Sequence, residues 1–205
     1  MNVEKNRIKI AAVILAAGAS KRFGSNKLLQ RIDGISILER TMDSVRANNF
    51  WNIAVVTPPG RDLDPILHKG TLKIVNKEWA RGIGTSIALA TRQFEGDVDG
   101  ILFLLADQPL IKPSDISRLV LEFLVSPRRI IACSVDGQVR NPILFPSSVF
   151  GELKQLKEDK GARSIAESHV ENLIKVEVDA PSLTDIDIVD DLQKIESRKK
   201  YEEKK

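Results

Sequence analysis

Two stretches of the 205-residue chain carry residue types suited to chemistry on a polyphosphate. The first runs from Leu15 to Lys27 and reads Leu-Ala-Ala-Gly-Ala-Ser-Lys-Arg-Phe-Gly-Ser-Asn-Lys. Its small residues, Ala16, Ala17, Gly18, Ser20 and Gly24, let backbone come close to a ligand, and exposed N–H groups in such a loop can line a nest for an anion. Arg22 and Lys27 add positive charge, one on a planar fork and one on a flexible stem, to neutralise a triphosphate. Neither of the common phosphate loops is present. There is no Gly-Lys-Ser/Thr of an NTPase P-loop, and no G-x-G-x-x-G, so a nicotinamide-dependent oxidoreductase is disfavoured. The second stretch centres on Asp107, which closes the apolar run 100–106 just before Gln108 and Pro109. A carboxylate at the carboxyl end of a central strand faces the crevice where open α/β sheets bind ligands. Mg²⁺ needs only one or two protein carboxylates besides phosphate oxygens and water. Plainer readings compete: a surface connector for the loop, and a turn or capping aspartate for Asp107 between Pro109 and Pro113.

The elements that must position these residues follow from hydrophobic period. Residues 10–15 form a short continuous apolar run, the pattern of a buried parallel strand. Residues 35–47 place Leu38, Met42 and Val45 at helical spacing. Strands are predicted at 51–57, closed by Pro58-Pro59-Gly60, and at 72–75, with a short helix at 61–68 between them. Residues 83–94 follow Gly82 with Ile87, Ala90 and Phe94 on one helical face. Residues 100–106 make the most apolar strand, the candidate for the sheet centre. Pro113 with Ser114 and Asp115 starts a helix to 125. Strands 130–135 and 138–145 flank Asp136-Gly137, the dipeptide favoured in type I′ hairpins. Helices at 147–156 and 162–168, a strand at 173–178 and a helix from 189 complete the pattern. It predicts one doubly wound α/β domain over residues 1–193, mostly parallel, with an antiparallel hairpin.

Charge and composition narrow the function classes. Residues 194–205 hold six Lys/Arg and three Glu, which accounts for the whole net charge of +3. That segment reads as a charged helical or frayed tail on a formally neutral body, which argues against a nucleic-acid face. So does an aromatic share of 5%, too sparse for a base-stacking platform. The single cysteine, Cys133, excludes an intrachain disulfide and a zinc cluster, and its apolar surroundings predict a buried structural thiol. No apolar stretch reaches the roughly 20 residues that span a bilayer, and the polar N-terminus has no signal-like h-region. A cytoplasmic location is expected.

The run LAAGASKRFGSNK resembles the signature L-A-A-G-x-S-x-R-x-G-x-x-K of the MobA-like NTP transferases, and is most similar to that of the molybdenum cofactor cytidylyltransferases. The resemblance implies a nucleotide-diphospho-sugar transferase-like variant of the Rossmann architecture, with the loop wrapped around base and phosphates. Guanylyl-transferring relatives carry a double glycine where this chain has Ala16-Ala17, so CTP is expected over GTP. Phe23 replaces the usual methionine. Ala106-Asp107-Gln108-Pro109 is similar to the family's metal motif, with Gln108 as in the cytidylyl branch. Asn76 to Ser86, NKEWARGIGTS, resembles the segment that would bring Thr85 and Ser86 to base or ribose, although either could simply cap the following helix. Arg140-Asn141-Pro142-Ile143-Leu144-Phe145 resembles H-P-x-L-F, with Asn141 for histidine, which places Asn141 and Pro142 at the acceptor. Asp159-Lys160-Gly161-Ala162-Arg163 matches the end of G-D-x-G-A-R. Asp185-Ile186-Asp187 resembles the start of D-I-D-T-P-x-D and marks Asp187 as a second metal carboxylate or a helix cap.

The chemistry implied is attack by a terminal phosphate of the acceptor, molybdopterin in the cytidylyl branch, on the α-phosphorus of the triphosphate, with loss of pyrophosphate. Asp107 would hold Mg²⁺ while Arg22 and Lys27 stabilise the leaving group; such transfers depend on positioning and charge neutralisation. A phosphate monoester, with a second pKa of about 6, needs no general base, which suits a chain whose two histidines, His68 and His169, lie in no motif. Competing readings are transfer from GTP, a sugar-phosphate acceptor, or a molybdopterin carrier or insertion protein without chemistry. A molybdoenzyme would receive the product.

Overall fold

The computed structural model describes residues 7–18, 27–186 and 191. Ser20, Arg22, Gly24 and Asp187 lie outside the described residues, as do the charged tail and, apart from Asp191, the helix predicted from 189. Strand β1 (Ile10–Leu15) leads into a small hairpin of β2 (Arg31–Ile32) and β3 (Ile35–Ser36), then α1 (Ile37–Arg46), β4 (Asn52–Thr57), β5 (Leu72–Val75), α2 (Ile83–Phe94) and β6 (Gly100–Leu105). After α3 (Pro113–Val125) come β7 (Ile130–Val135), β8 (Gln138–Pro146), α4 (Phe150–Leu153), α5 (Ala162–Ser168) and β9 (Leu173–Glu177).

Seven strands form one sheet in the order β5-β4-β1-β6-β8-β7-β9. The pairs β5–β4, β4–β1, β1–β6 and β7–β9 are parallel, and β8 is antiparallel to both neighbours. The predicted hairpin is therefore present, but β8 alone runs against the sheet. Its turn has φ of 50° at Asp136 and 71° at Gly137, the doubly positive pair of a type I′ turn. Every residue of β1 is buried, and alternate residues serve the two faces. Ala12 and Ile14 join Leu38 and Met42 of α1 and Ile116, Leu119 and Phe123 of α3 on one side. Ala11 and Val13 join Ile87, Ala90 and Phe94 of α2 with Phe150 and Ala166 on the other. Two cores flanking one sheet are what a doubly wound fold requires.

Local departures from the sequence reading have local causes. Asp33-Gly34, with φ of 52° and 81°, makes a second tight hairpin, so α1 starts at Ile37 rather than 35. Ser36 caps it: its hydroxyl accepts from Glu39 N–H, and the Glu39 carboxylate accepts from Ser36 N–H, a capping box. The helix expected at 61–68 is only a short 3₁₀ turn, Asp64–Ile66; Pro65 has no N–H to offer the Arg61 carbonyl, which bars a helix starting at 61, and it sits instead in the first turn. The helix expected at 147–156 is a 3₁₀ turn, Ser147–Val149, followed by α4. No helix of the described residues is long and apolar enough to cross a membrane.

Candidate active site

The order β4-β1-β6 places the turns after these three strands side by side at the carboxyl edge of the sheet, on the crevice where the winding reverses. The end of β1 is held from both sides: Ala16 N–H donates to Val56 O (2.8 Å), and Leu15 O accepts from Ala106 N–H (3.2 Å). Ala16 and Ala17 are buried and Gly18 is exposed. The chain re-enters at Lys27, in a short 3₁₀ turn ahead of Ile32.

Lys27 is buried, and its ammonium donates to Asp107 Oδ2 at 2.6 Å and to Ile186 O at 2.8 Å. Asp107 stands in the turn after β6, and its own backbone oxygen accepts from Ile186 N–H at 3.0 Å. Gln108, also buried, donates to Asp185 Oδ1 at 2.9 Å, so the segment ahead of residue 187 is strapped to the end of β6. The structure thus brings together Lys27 and Asp107, with Leu15, Ala16 and Ala17 on the adjacent strand end. The Asp107 side chain is 22% exposed and reachable from the crevice. A carboxylate paired with an ammonium at such a place can exchange its partner: the acid for a divalent cation, the amine for a phosphate oxygen. The donors on hand are hard oxygens, the Asp107 carboxylate and the Ile186 carbonyl. Among the described residues no three of His, Cys, Asp and Glu gather into a metal site. Those two oxygens are of the hard kind that a magnesium-type ion, completed by phosphate and water, accepts.

Thr85 and Ser86 lie in the first turn of α2, behind Gly82, which occupies the cap position. Neither caps the helix, contrary to the plainer expectation. Asn76 Nδ2 donates to Thr85 Oγ1 (2.8 Å) and Ser86 Oγ (2.9 Å), and Asn76 Oδ1 accepts from Glu78 N–H (2.9 Å). All three side chains are buried, so their polar groups must be satisfied internally. The Asp159–Arg163 motif packs nearby: Gly84 N–H donates to Glu158 O at 2.9 Å. Gly82, at φ +118°, is so close to that segment that a Cβ would stand 2.2 Å from the Glu158 carbonyl carbon.

Asn141 and Pro142 are the two residues skipped in the β7–β8 register, where Ala132 pairs with Ile143 and Cys133 with Arg140. They are joined by a cis peptide and lie just beyond the last β6–β8 pair, Phe103–Ile143, towards Asp107. The histidines are elsewhere: His68 lies 3.0 Å from Asp43 and His169 2.9 Å from Glu152, both in exposed pairs. One residue missed by sequence reasoning contacts the glycine loop. Arg61 donates from Nη1 to Ala16 O (2.6 Å) and from Nη2 to Gly18 O (3.0 Å). Only the turn signal Pro58-Pro59-Gly60 before it hinted that it left the strand at this edge.

Residues 12–173 match the MobA-like NTP transferase domain. The purine catabolism protein PucB of Bacillus subtilis is 30% identical over 169 residues, 78% of this chain and 81% of that protein. Rv0371c of Mycobacterium tuberculosis superposes with a TM-score of 0.81 at 27% identity, covering 93% of this chain and 98% of that one. A structure of Rv0371c in complex with manganese superposes at 0.76, with 26% identity over 92% of this chain and 98% of that one. A nucleotidyl transferase from Methanothermobacter thermautotroptrophicus, at 18% identity and a TM-score of 0.76, shares the fold over 93% of this chain and 97% of its own.

Proposed function

The chain is a nucleotidyltransferase belonging to the MobA-like NTP transferase family, and from that premise we propose that it transfers CMP from CTP to a terminal phosphate of a molybdopterin acceptor, releasing pyrophosphate. The observation that carries this reading is the 2.6 Å contact of Lys27 with Asp107, a cation and a carboxylate from two motifs converging at the ends of adjacent strands. In the proposal Asp107 would hold Mg²⁺, which when bound supplies charge neutralisation to the triphosphate. Lys27, relieved of Asp107, turns to the phosphates with Arg22 and stabilises charge on the leaving pyrophosphate. Leu15, Ala16, Ala17, Gly18, Ser20 and Gly24 line the nucleotide, with Thr85 and Ser86 towards base or ribose.

Asp187 is the proposed second metal ligand. Its support is the residue before it: Ile186 is bonded through its backbone to both Asp107 and Lys27. Manganese in a structure of the related Rv0371c supports a divalent cation in general, and the oxygen-only donors support magnesium. CTP is favoured by the Ala16-Ala17 pair, as in the cytidylyl branch. Asn141 and Pro142 are assigned to the acceptor because they lie past the last β6–β8 pair, Phe103–Ile143, on the side of the carboxyl end of β6. The acceptor phosphate, already largely dianionic near neutrality, attacks without a base, consistent with histidines held in surface pairs. A cytoplasmic location and a molybdoenzyme as recipient of the product are part of the proposal, and a single free, buried thiol is in keeping with the former.

Asn141, where the family usually has histidine, favours keeping a second reading, a different acceptor such as a sugar phosphate. Triphosphates and candidate acceptors incubated with Mg²⁺, scored by pyrophosphate release and by mass of the product, test both. The expected result is release with CTP and a molybdopterin acceptor and a product heavier by CMP. Release only with GTP or a sugar phosphate moves the assignment within the family. Stoichiometric pterin binding with no turnover of any triphosphate overturns it in favour of a carrier.

A further inference from the structure

Arg61 follows the turn after β4, and its guanidinium reaches back to the chain leaving β1, donating to the Ala16 and Gly18 carbonyls. It is half-buried, and no carboxylate pairs with it among the described residues. Loss of hydration holds its pKa below the ordinary guanidinium range, although an arginine keeps its proton throughout. A cation in that position is costly unless dipoles replace the lost water, and here two backbone carbonyls do so.

The direction of these bonds carries the inference. Along an extended strand, a residue's N–H and C=O point to one side and those of the next residue to the other. Leu15 O is bonded on the β6 side, to Ala106 N–H, and Ala16 N–H on the β4 side, to Val56 O. Arg61 meets Ala16 O on that same β4 side, then Gly18 O two residues on, so its fork continues the β4 edge past the last backbone bond. A planar trans peptide sets its N–H opposite its C=O. The Ala17 N–H, in one peptide with the Ala16 carbonyl, is thereby turned to the β6 side, where Lys27 meets Asp107.

We propose that Arg61 is a positioning residue for nucleotide binding, a side-chain extension of β4 that fixes the peptides of residues 16–18 with the Ala17 amide directed at the triphosphate. The assignment rests on the proposed function for its ligand, but the ordering of the loop by Arg61 does not.

Arg61→Gln and Arg61→Lys in the full chain test it, with CTP·Mg²⁺ affinity by calorimetry, steady-state kinetics, thermal melting, and amide exchange of residues 16–18 in the absence of ligand. Both variants should weaken CTP·Mg²⁺ binding and raise KM about tenfold, with kcat altered by less than about threefold. Exchange at 16–18 should quicken, and melting should stay close to that of the parent. Lysine keeps the charge without the fork, so loss in both variants marks geometry, whereas full function in Arg61→Lys would reduce Arg61 to a bulk charge and overturn the proposal. Lower melting with unchanged CTP affinity, or unchanged exchange, also overturns it. If the parent chain binds no triphosphate at all, the proposed function falls, and faster exchange in the variants still supports the ordering role.

Discussion

Lys27 Nζ bridges Asp107 Oδ2 at 2.6 Å and Ile186 O at 2.8 Å, joining positions 80 and 159 residues away in the chain. One ammonium thus ties the loop after β1 to the end of β6 and to the C-terminal strap. Lys27→Ala should lower turnover by about 100-fold or more, the scale on which a donor aimed at developing charge contributes. The chain should still fold, because Asp107, 22% exposed, can recover water, but melting should drop, since Lys27 is buried and its bond to Ile186 O goes with the ammonium. Pyrophosphate release measured beside a melting curve checks both halves. Near-normal turnover would remove Lys27 from the mechanism.

Asn76 organises the start of α2 by giving both amide protons to the Thr85 and Ser86 hydroxyls while accepting from Glu78 N–H. Asn76→Ala takes the donor from the buried Ser86 hydroxyl, at a cost of about 1–3 kcal/mol, while Thr85 keeps its bond to Gly82 O at 2.8 Å. A clear fall in melting temperature is expected, together with a higher KM for the triphosphate if the first turn of α2 touches it. Stability lost with KM unchanged would leave Thr85 and Ser86 as structural residues only.

Gly82 combines φ +118° with a neighbour so close that an added Cβ would lie 2.2 Å from Glu158 C and 2.3 Å from Glu158 O. Both contacts are backbone, so no side chain can swing aside. Gly82→Ala should cost about 3 kcal/mol or more, from overpacking added to an unfavourable φ. Gly151→Ala, with nothing within 4 Å of its added Cβ, is the control and should be close to neutral. Denaturant midpoints for the two variants decide the matter, and equal midpoints would contradict the close packing of Gly82 against Glu158.

The centre of the large sheet was readable in the sequence because β1 and β6 are buried on both faces: an unbroken apolar run such as Ile10–Leu15 has few other uses. The Asp136-Gly137 turn was readable because both positions need positive φ. Asp33-Gly34 sends the same signal, but strands of two residues on either side are too short to show alternation. Of the site, Asp107 and Lys27 were found by motif, and their contact only by folding. Arg61 and Asn76 escaped as position-setters because a side chain's reach to a distant carbonyl or hydroxyl leaves no periodicity in sequence. Gln108 was noticed as part of a motif, yet its bond to Asp185, 77 positions on, depends wholly on how the strap returns.

Cys133, fully buried in β7, offers a pH test of the core. Burial first, and then the nearby Asp115 carboxylate, push its thiol from an ordinary 9.0 up to about 12, with Arg118 acting weakly the other way. Because the folded pKa is the higher one, the contribution is complete below the unfolded value of 9.0 and is lost as pH rises towards about 12. In that window the unfolded chain releases a proton that the folded chain keeps, so stability should fall by up to about 1.4 kcal/mol per pH unit from this group. Other groups titrate there too, and the difference between the parent and Cys133→Ala isolates the thiol: the variant's stability should decline less steeply above pH 9.0. At pH 8 a soft alkylating agent should leave the native thiol untouched and label it only after unfolding, since the thiolate is the reactive form. Rapid labelling of the native protein, at the rate of a small free thiol, would mean that β7 opens to solvent and that the core around it is looser than described.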